Sequence, residues 1–173
     1  MSNKRRVMVT IHHRGRLSLR ENWTRLGRSA YHWGILIQPK NPKDHDSNAF
    51  DVSDGMAVDP ITHRDLNPNL EWNFRAKTDA SGSLLGKVMI GKVPNKVKNN
   101  EIESRLREVP LPIQDTAQNC VTWTMAAIQV LQNEGMAENL DVDQFMAKAL
   151  GLADEWLRNQ NPESFHNYTN RVL

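Results

Sequence analysis

Strand patterns fill the first half of this chain, and helical patterns fill the second half. Alternating apolar residues, or short runs rich in β-branched and aromatic residues, predict strands over 6–12, 31–38, 49–53, 70–77 and 84–93. Apolar residues at helical spacing predict helices over 96–107, 120–134 and 141–159. Strands followed by helices favour an α+β fold, and the short connections between several strands favour a mainly antiparallel sheet.

The segment 120–134 (CVTWTMAAIQVLQNE) is the most apolar of the predicted helices. It begins just after Asn119, a good N-cap residue, and stops at Gly135, a residue type that commonly follows a helix. Because apolar residues occur nearly all round it, we expect a buried central helix that packs against the sheet. In the last predicted strand, Gly86 or Gly91 is expected to mark a bend or a bulge.

The length of 173 residues fits a single domain. Along it we distinguish a basic N-terminal segment over 1–30, a core over 31–135, and a C-terminal helix with a polar tail over 136–173. Between the first two strands, residues 13–30 are expected to form an irregular basic connector. A single cysteine excludes an intrachain disulfide and fits a reducing, cytoplasmic compartment.

The basic segment can attract anionic partners. It holds one acid, Glu21, against eight Lys or Arg residues, namely Lys4, Arg5, Arg6, Arg14, Arg16, Arg20, Arg25 and Arg28. Nucleic acid is nevertheless an unlikely partner, because no RNP pattern, zinc finger or heptad repeat accompanies these charges. No membrane partner is expected either, because no apolar run approaches the roughly 18 residues of a membrane span.

No cofactor is expected from the motifs. The glycine-rich patterns GxGxxG and GxxxxGK[ST] do not occur, which argues against a Rossmann or P-loop nucleotide site. GxSxG is absent as well, and no HExxH-type spacing indicates a zinc site. Any catalytic chemistry must therefore come from the side chains themselves.

Cys120 is the first candidate for such chemistry. It occupies the first turn of the predicted central helix, where the positive end of the helix dipole favours a thiolate over a thiol. Free backbone N–H groups of that turn could also stabilise an oxyanion. The alternative is that this lone cysteine is simply a small buried apolar residue.

A nucleophilic cysteine needs a base and a group that orients the base. His32 is the candidate base, because it lies on a predicted strand between Tyr31 and Trp33, where its ring can be held rigidly; a packed strand histidine is the alternative. The remaining histidines are interpreted as structural or solvated: His12, His13, His45, His63 and His166.

Asp51 is the candidate orienting group. It lies between Phe50 and Val52 in a predicted strand, and an acid inside an apolar strand calls for a partner. The alternative places it on the exposed face of that strand. The weaker acidic candidates lie in turn-rich loops: Asp44, Asp46, Asp54 and Asp59.

Two short motifs resemble the circularly permuted papain-like proteins. YHWGILI over 31–37 and NCVTW over 119–123 are similar to the base-bearing strand and the nucleophile-bearing helix of lecithin:retinol acyltransferase-like proteins and NlpC-type peptidases. The histidine precedes the cysteine, which is the permuted order. The resemblance is closest to uncharacterised fungal proteins with an HWxI … NCxTW pattern, and it covers roughly residues 29–135.

The resemblance implies a cysteine hydrolase or acyltransferase that acts on an amide, ester or thioester of a small molecule or peptide. Cys120 would be its nucleophile and His32 its base. Asp51 lies near the place where the acyltransferase-like proteins carry a second histidine, and an aspartate can also orient an imidazole. The residues expected to contact substrate are Trp33, Asn119 and Trp123. Because NCVTW replaces the NCEHF form, lipid acyl transfer is not implied.

A second hypothesis is a non-catalytic member of the same fold. Such a protein would act as a binding module, through its cleft or, for anionic partners, through its basic N-terminal segment. Thiol reactivity separates the two hypotheses, whereas salt-dependent binding to polyanions would support nucleic-acid binding. The substrate, the acyl acceptor and the oligomeric state are left open by the sequence.

Overall fold

One sheet organises the protein. The computed structural model describes residues 3–43, 45–80, 82–161 and 163–173. Its strands are β1 (Arg5–His13), β2 (Tyr31–Pro39), β3 (Asn48–Ser53), β4 (Asn73–Lys77), β5 (Leu84–Lys92) and β6 (Phe165–Asn167). Its α-helices are α1 (Arg20–Leu26), α2 (Asn99–Arg107), α3 (Cys120–Asn133) and α4 (Val142–Asn159). Two short 3₁₀ helices, Gly15–Ser18 and Gly27–Ala30, flank α1.

The sheet is mostly antiparallel. Its six strands follow the order β4-β3-β2-β1-β5-β6, and only the pair β5–β6 is parallel. The predicted α+β class and the mainly antiparallel sheet are therefore confirmed. Strand β1, which the sequence places inside the basic segment 1–30, pairs with β2 on one side and β5 on the other. Part of the basic segment thus lies inside the sheet rather than before it.

Strand alternation gives the sheet two unlike faces. On one face, Trp33 and Ile35 of β2 belong to the main core with the helices. On the other face, Leu36 packs with Met8 of β1 and Met89 of β5 in a smaller apolar cluster. Because neighbouring residues of a strand point to opposite faces, His32 lies on the face opposite Trp33.

Helix α3 lies in the main core, as its composition predicts. Its buried residues are Cys120, Val121, Trp123, Thr124, Ala127, Ile128 and Leu131. Asn119 caps the helix, because its side-chain oxygen accepts the Val121 N–H at 2.8 Å. Gly135 has a φ of 69°, the left-handed conformation that favours glycine after a helix.

Both glycines of β5 lie where the sheet is irregular. The pairing of β1 with β5 shifts register at two places, which lie opposite Gly91 and Gly86. A Cβ atom at Gly86 would lie 2.4 Å from the ring of Trp156, so this glycine also lets α4 approach the sheet. The predicted bulge is therefore found at both positions.

The bounds of two elements differ from the sequence prediction. Strand β4 begins at Asn73 instead of residue 70, because the side chain of Asn67 bonds the backbone of Glu71 in both directions and closes a turn. Residues 13–30 are not an irregular connector, since they contain α1 and two 3₁₀ helices. Strand β6 falls in the segment that was expected to be only a polar tail.

Several charges of the basic segment have local partners. Arg5 donates to the Asn99 side chain and to the Val97 carbonyl, and Arg28 pairs with Asp143 at 3.1 Å. The side chain of Arg20 and the loop residue Asp44 lie outside the described residues. Within the described ranges, no helix is long and apolar enough to cross a membrane.

We predict that Ile128→Ala lowers the free energy of unfolding by about 2–5 kcal/mol, the usual cost of emptying a buried aliphatic site. Ile128 is fully buried in α3. Met125→Ala should cost less because Met125 is only half-buried, and Gln129→Ala on the exposed side should cost under about 0.5 kcal/mol. Urea unfolding measures all three. A cost below about 1 kcal/mol at Ile128 would contradict the central placement of α3.

Candidate active site

The structure brings the three predicted reactive residues together in one series. Cys120 is the first residue of α3, His32 is the second residue of β2, and Asp51 lies in β3. The Nε2 atom of His32 lies 3.0 Å from Oδ2 of Asp51. His32 and Cys120 line the same cleft, and the Cys120 side chain is close enough to help raise the pKa of His32. Because Asp51 engages Nε2, Nδ1 is the ring nitrogen that remains for the sulfur. Cys120, His32 and Asp51 thus follow one another in the order predicted for a nucleophile, a base and an orienting carboxylate.

Gly34 makes room for this arrangement. It lies two residues after His32 on the same face of β2, beside β3. A Cβ atom at Gly34 would lie 3.2 Å from the Cβ atom of Asp51 and 2.9 Å from the Phe50 carbonyl oxygen. The missing side chain therefore lets the Asp51 carboxylate lie across β2 and reach His32.

His32 carries a proton at neutral pH. Burial opposes the charge, but the hydrogen bond to Asp51 and the interaction with Cys120 outweigh it and raise the pKa of His32 to about 9. The His32 side chain is 20% exposed, so the ring is mostly buried but remains accessible to a molecule in the cleft.

Asp51 is a buried carboxylate that accepts from several donors. Arg75 donates from Nε to Oδ1 at 2.6 Å and from Nη2 to Oδ2 at 2.9 Å. Lys77 Nζ lies 3.2 Å from Oδ2, the oxygen that also faces His32. Burial raises the pKa of Asp51, but the bonds to His32 and Arg75 outweigh it and hold the pKa well below its usual range. The carboxylate is therefore ionised and fixed.

Sequence reasoning missed Arg75 and Lys77. They lie two residues apart in β4, so they share one face of that strand. In the β3–β4 register Arg75 lies directly opposite Asp51. The spacing of Arg75 and Lys77 is visible in the sequence. Their pairing with Asp51 depends on β4 lying next to β3, which the sequence pattern does not show.

His12 is a second histidine at the site. It lies directly opposite His32 in the β1–β2 register, and the two ring centroids are 5.8 Å apart. Burial, and then the charge of His32, lower the pKa of His12 to about 4, so its ring is neutral at pH 7. His12 was expected to be structural or solvated, and the structure places its ring among the buried side chains, beside His32.

Cys120 and His32 open onto a cleft of about 890 Å³. Its walls come from the segments that surround α3 and the end of the sheet: 52–55, 70–72 and 113–119. Apolar side chains such as Trp72 and Ile113 alternate there with polar ones such as Gln118. A space of this size holds a small molecule or a few residues of a peptide.

Of the three predicted substrate contacts, only Asn119 lies on the cleft. Its Nδ2 donates to Ser29 Oγ at 3.1 Å while its oxygen caps α3. Trp33 and Trp123 are 0% and 2% exposed, so their expected contact with substrate is wrong. Both point into the core, because Trp33 alternates with His32 and Trp123 lies on the buried side of α3.

The remaining candidates lie away from the series. His13 Nδ1 accepts the Gly15 N–H at 2.9 Å, and His45 and His63 lie in exposed loops. Asp59 accepts backbone N–H groups of Ile61 and Thr62 in a turn. In the part of the chain that the structure describes, no group of three His, Cys, Asp or Glu side chains could hold a metal ion.

Comparison with known proteins gives a family. The model of a family of unknown function, DUF6914, matches residues 4–158. The chain belongs to the DUF6914 family. That match runs from β1 through nearly all of α4 and so includes Cys120, His32 and Asp51. Neither the search of curated proteins nor the search of solved structures returned a match.

We predict that a pH titration of the histidine rings by NMR separates the two facing histidines of this DUF6914 protein. His32 should keep its second proton up to a pH of about 9, and His12 should stay neutral down to about 4. Asp51→Asn should move the His32 titration down toward its ordinary value of 6.5, because a charged acceptor is lost. A His32 titration at 6.5 in the unaltered protein would contradict the series.

The same shift predicts the effect of pH on stability. A folded pKa above the ordinary 6.5 means that the His32 proton stabilises the fold fully below pH 6.5 and that this contribution is lost as the pH rises through about 9. The free energy of unfolding should therefore fall between pH 7 and 9, and His32→Gln should remove that part of the slope. If the free energy of unfolding fell equally with pH in the unaltered protein and in His32→Gln, the raised pKa of His32 would be contradicted.

Proposed function

We propose that this protein is a cysteine-dependent acyl-transfer enzyme, a hydrolase or an acyltransferase that acts on an amide, ester or thioester. The observation that carries the proposal is that Cys120 and His32 line one cleft of about 890 Å³ while Asp51 holds the His32 ring through a hydrogen bond of 3.0 Å. A cysteine at a helix N-terminus, a base in contact with it and a fixed carboxylate are the parts that nucleophilic catalysis requires.

In the first step the Cys120 sulfur attacks the carbonyl carbon of the substrate. A C–S bond forms, and the carbonyl electron pair moves onto oxygen. The backbone N–H of Cys120 has no acceptor one turn earlier in the helix, because the first residues of any helix lack one, so it is available to that oxyanion. His32 then donates its proton to the leaving group as the bond to the carbonyl carbon breaks, which leaves a thioester.

In the second step His32, now neutral, takes a proton from water or from another acceptor. The acceptor oxygen or nitrogen attacks the thioester carbon, and the C–S bond breaks to return the Cys120 sulfur and the protonated His32. Asp51 keeps the imidazole in one orientation through both steps. Water gives hydrolysis, and any other acceptor gives acyl transfer.

We propose further that the fold is a circularly permuted papain-like one. Three features support this assignment: the base lies on β2, the nucleophile opens α3 later in the chain, and α3 packs against the core face of β2 and β3. In this assignment β1 is part of the core, because it is the central strand of the sheet. The core then begins before residue 31.

The partners that fit this proposal are a small-molecule or peptide substrate in the cleft. Nucleic acid is not part of the proposal, since Arg5 and Arg28 of the basic segment are held by Asn99 and Asp143. A cytoplasmic location stays a prediction from the cysteine content.

A binding module without activity is the second candidate. The observation that favours it is the pairing of Asp51 with Arg75 and Lys77, which would satisfy the carboxylate even without His32. In that case Asp51 would stabilise the pairing of β3 with β4 and would not orient His32 for catalysis. His32 and Cys120 line the same cleft, and Cys120 helps to raise the pKa of His32, which is what favours catalysis.

We predict that p-nitrophenyl acetate acetylates Cys120, the only cysteine, and that intact-mass spectrometry detects one acetyl group per chain. His32→Gln should slow acetylation by about 10²–10⁴-fold, the usual contribution of a positioned base. Asp51→Asn should slow it less, because orientation is disturbed while the base remains. Cys120→Ala should abolish it.

His13→Gln is the matched control, since it removes the imidazole next to His12 on the other face of β1. It should leave the acetylation rate unchanged. Equal rates in the unaltered protein and in His32→Gln, with both variants folded by circular dichroism, would overturn the enzymatic proposal in favour of the binding module.

A further inference from the structure

Arg75 has a free nitrogen beside the reactive pair. Its Nε and Nη2 atoms bind Asp51, and Nη2 also lies 3.4 Å from His32 Nε2. No described residue accepts a hydrogen bond from Nη1. The side chain is 38% exposed and lines the same cleft as Cys120 and His32, so Nη1 is available to a bound molecule.

The charges around the base do not cancel. His32, Arg75 and Lys77 are positive, whereas Asp51, to which all of them bind, carries one negative charge. A thiolate at Cys120 would neutralise only one of the two remaining positive charges. Positive charges at the end of a cleft attract anions more strongly than the same charges would in bulk water, because the protein walls screen them less.

The acidic residues of the cleft do not offset this charge. Asp54 and Asp115 line it, but both are exposed, so water and salt screen them. Arg14, which donates to the Ser29 carbonyl at 2.7 Å, adds a further positive charge at the cleft wall. Asp79 lines a second cavity of about 270 Å³ together with His32, Arg75 and Lys77, and it does not line the cleft that Cys120 lines.

We propose that the acyl substrate carries a negatively charged group, a carboxylate in the simplest case, close to the carbon that Cys120 attacks, and that Arg75 binds this group. This inference rests on the proposed function and names its substrate class. Arg75 then has two roles: its Nε and Nη2 atoms bind Asp51, and its Nη1 atom donates a hydrogen bond to the negatively charged group of the substrate. It is the specificity-determining residue of the cleft.

Iodoacetate and iodoacetamide test this directly, since they differ mainly in charge. In both reactions the Cys120 sulfur forms a C–S bond as the C–I bond breaks, and iodide leaves with the electron pair. Any thiol proton passes to solvent, because the His32 ring already carries its second proton. The ratio of the two second-order rate constants therefore reports the attraction of a carboxylate to the reacting atom. Cys120 is the only cysteine, so the readout is unambiguous.

We expect the ratio of iodoacetate to iodoacetamide rates to be about tenfold higher in the folded protein than in the urea-unfolded chain. Arg75→Gln should remove most of this excess, Arg75→Lys should keep part of it, and added salt should lower it. Arg25→Gln removes an exposed arginine that does not line the cleft, and it should leave the ratio unchanged. Circular dichroism checks that each variant is folded.

The outcomes separate this inference from the proposed function. A ratio equal to that of the unfolded chain, or an excess that Arg14→Gln abolishes and Arg75→Gln does not, would overturn the assignment of Arg75. In either case a fast iodoacetamide reaction that depends on His32 would leave the proposed function standing. An iodoacetamide reaction as slow as that of the unfolded chain would instead overturn the proposed function.

Discussion

The buried carboxylate of Asp51 is the interaction on which the rest of the site depends. A charge inside a sheet is stable only when other groups pair with it, and leaving it unpaired costs about 3–5 kcal/mol. Asp51 meets this requirement with Arg75 and Lys77 from the neighbouring strand and with His32 from the strand on the other side. Gly34 leaves the space that the carboxylate needs to cross β2. The orientation of the imidazole, and through it the contact with Cys120, follows from this pairing.

Local signals in the sequence point to three residues that the structure brings close together. The apolar helix that begins after Asn119 places Cys120 in the first turn of that helix. An acid between Phe50 and Val52 in an apolar strand points to a buried carboxylate. Each of these signals is contained in fewer than about twenty consecutive residues, which is the range over which periodicity and capping act. Helix α3, the β2 strand and the antiparallel sheet were predictable for the same reason.

The missed features depend on strand order, which no local pattern contains. Arg75 became a partner of Asp51 because β4 pairs with β3, and His12 came to face His32 because β1 pairs with β2. The central position of β1 depends on β5 returning to its other side across a long stretch of chain. Strand β6 is only three residues long and pairs in parallel, so it carries almost no pattern of its own.

The two tryptophans that were expected to touch substrate hold the framework instead. Trp33 donates its indole N–H to the Arg28 carbonyl at 2.7 Å and so fixes the chain that leads into β2. Trp123 packs against Phe74 of β4, with ring centroids 5.9 Å apart. This contact ties the helix that carries Cys120 to the strand that carries Arg75. A large aromatic next to a reactive residue in sequence points away from the site when strand or helix geometry turns it inward.

The central claim is that Asp51 acts on Cys120 through His32. A double-mutant cycle on the acetylation rate of Cys120 tests it most directly, with the unaltered protein, Asp51→Asn, His32→Gln and the double variant. The account predicts that Asp51→Asn slows the reaction when His32 is present and has no further effect once His32 is replaced. Equal slowing by Asp51→Asn in both backgrounds would contradict it, because Asp51 would then act independently of the base.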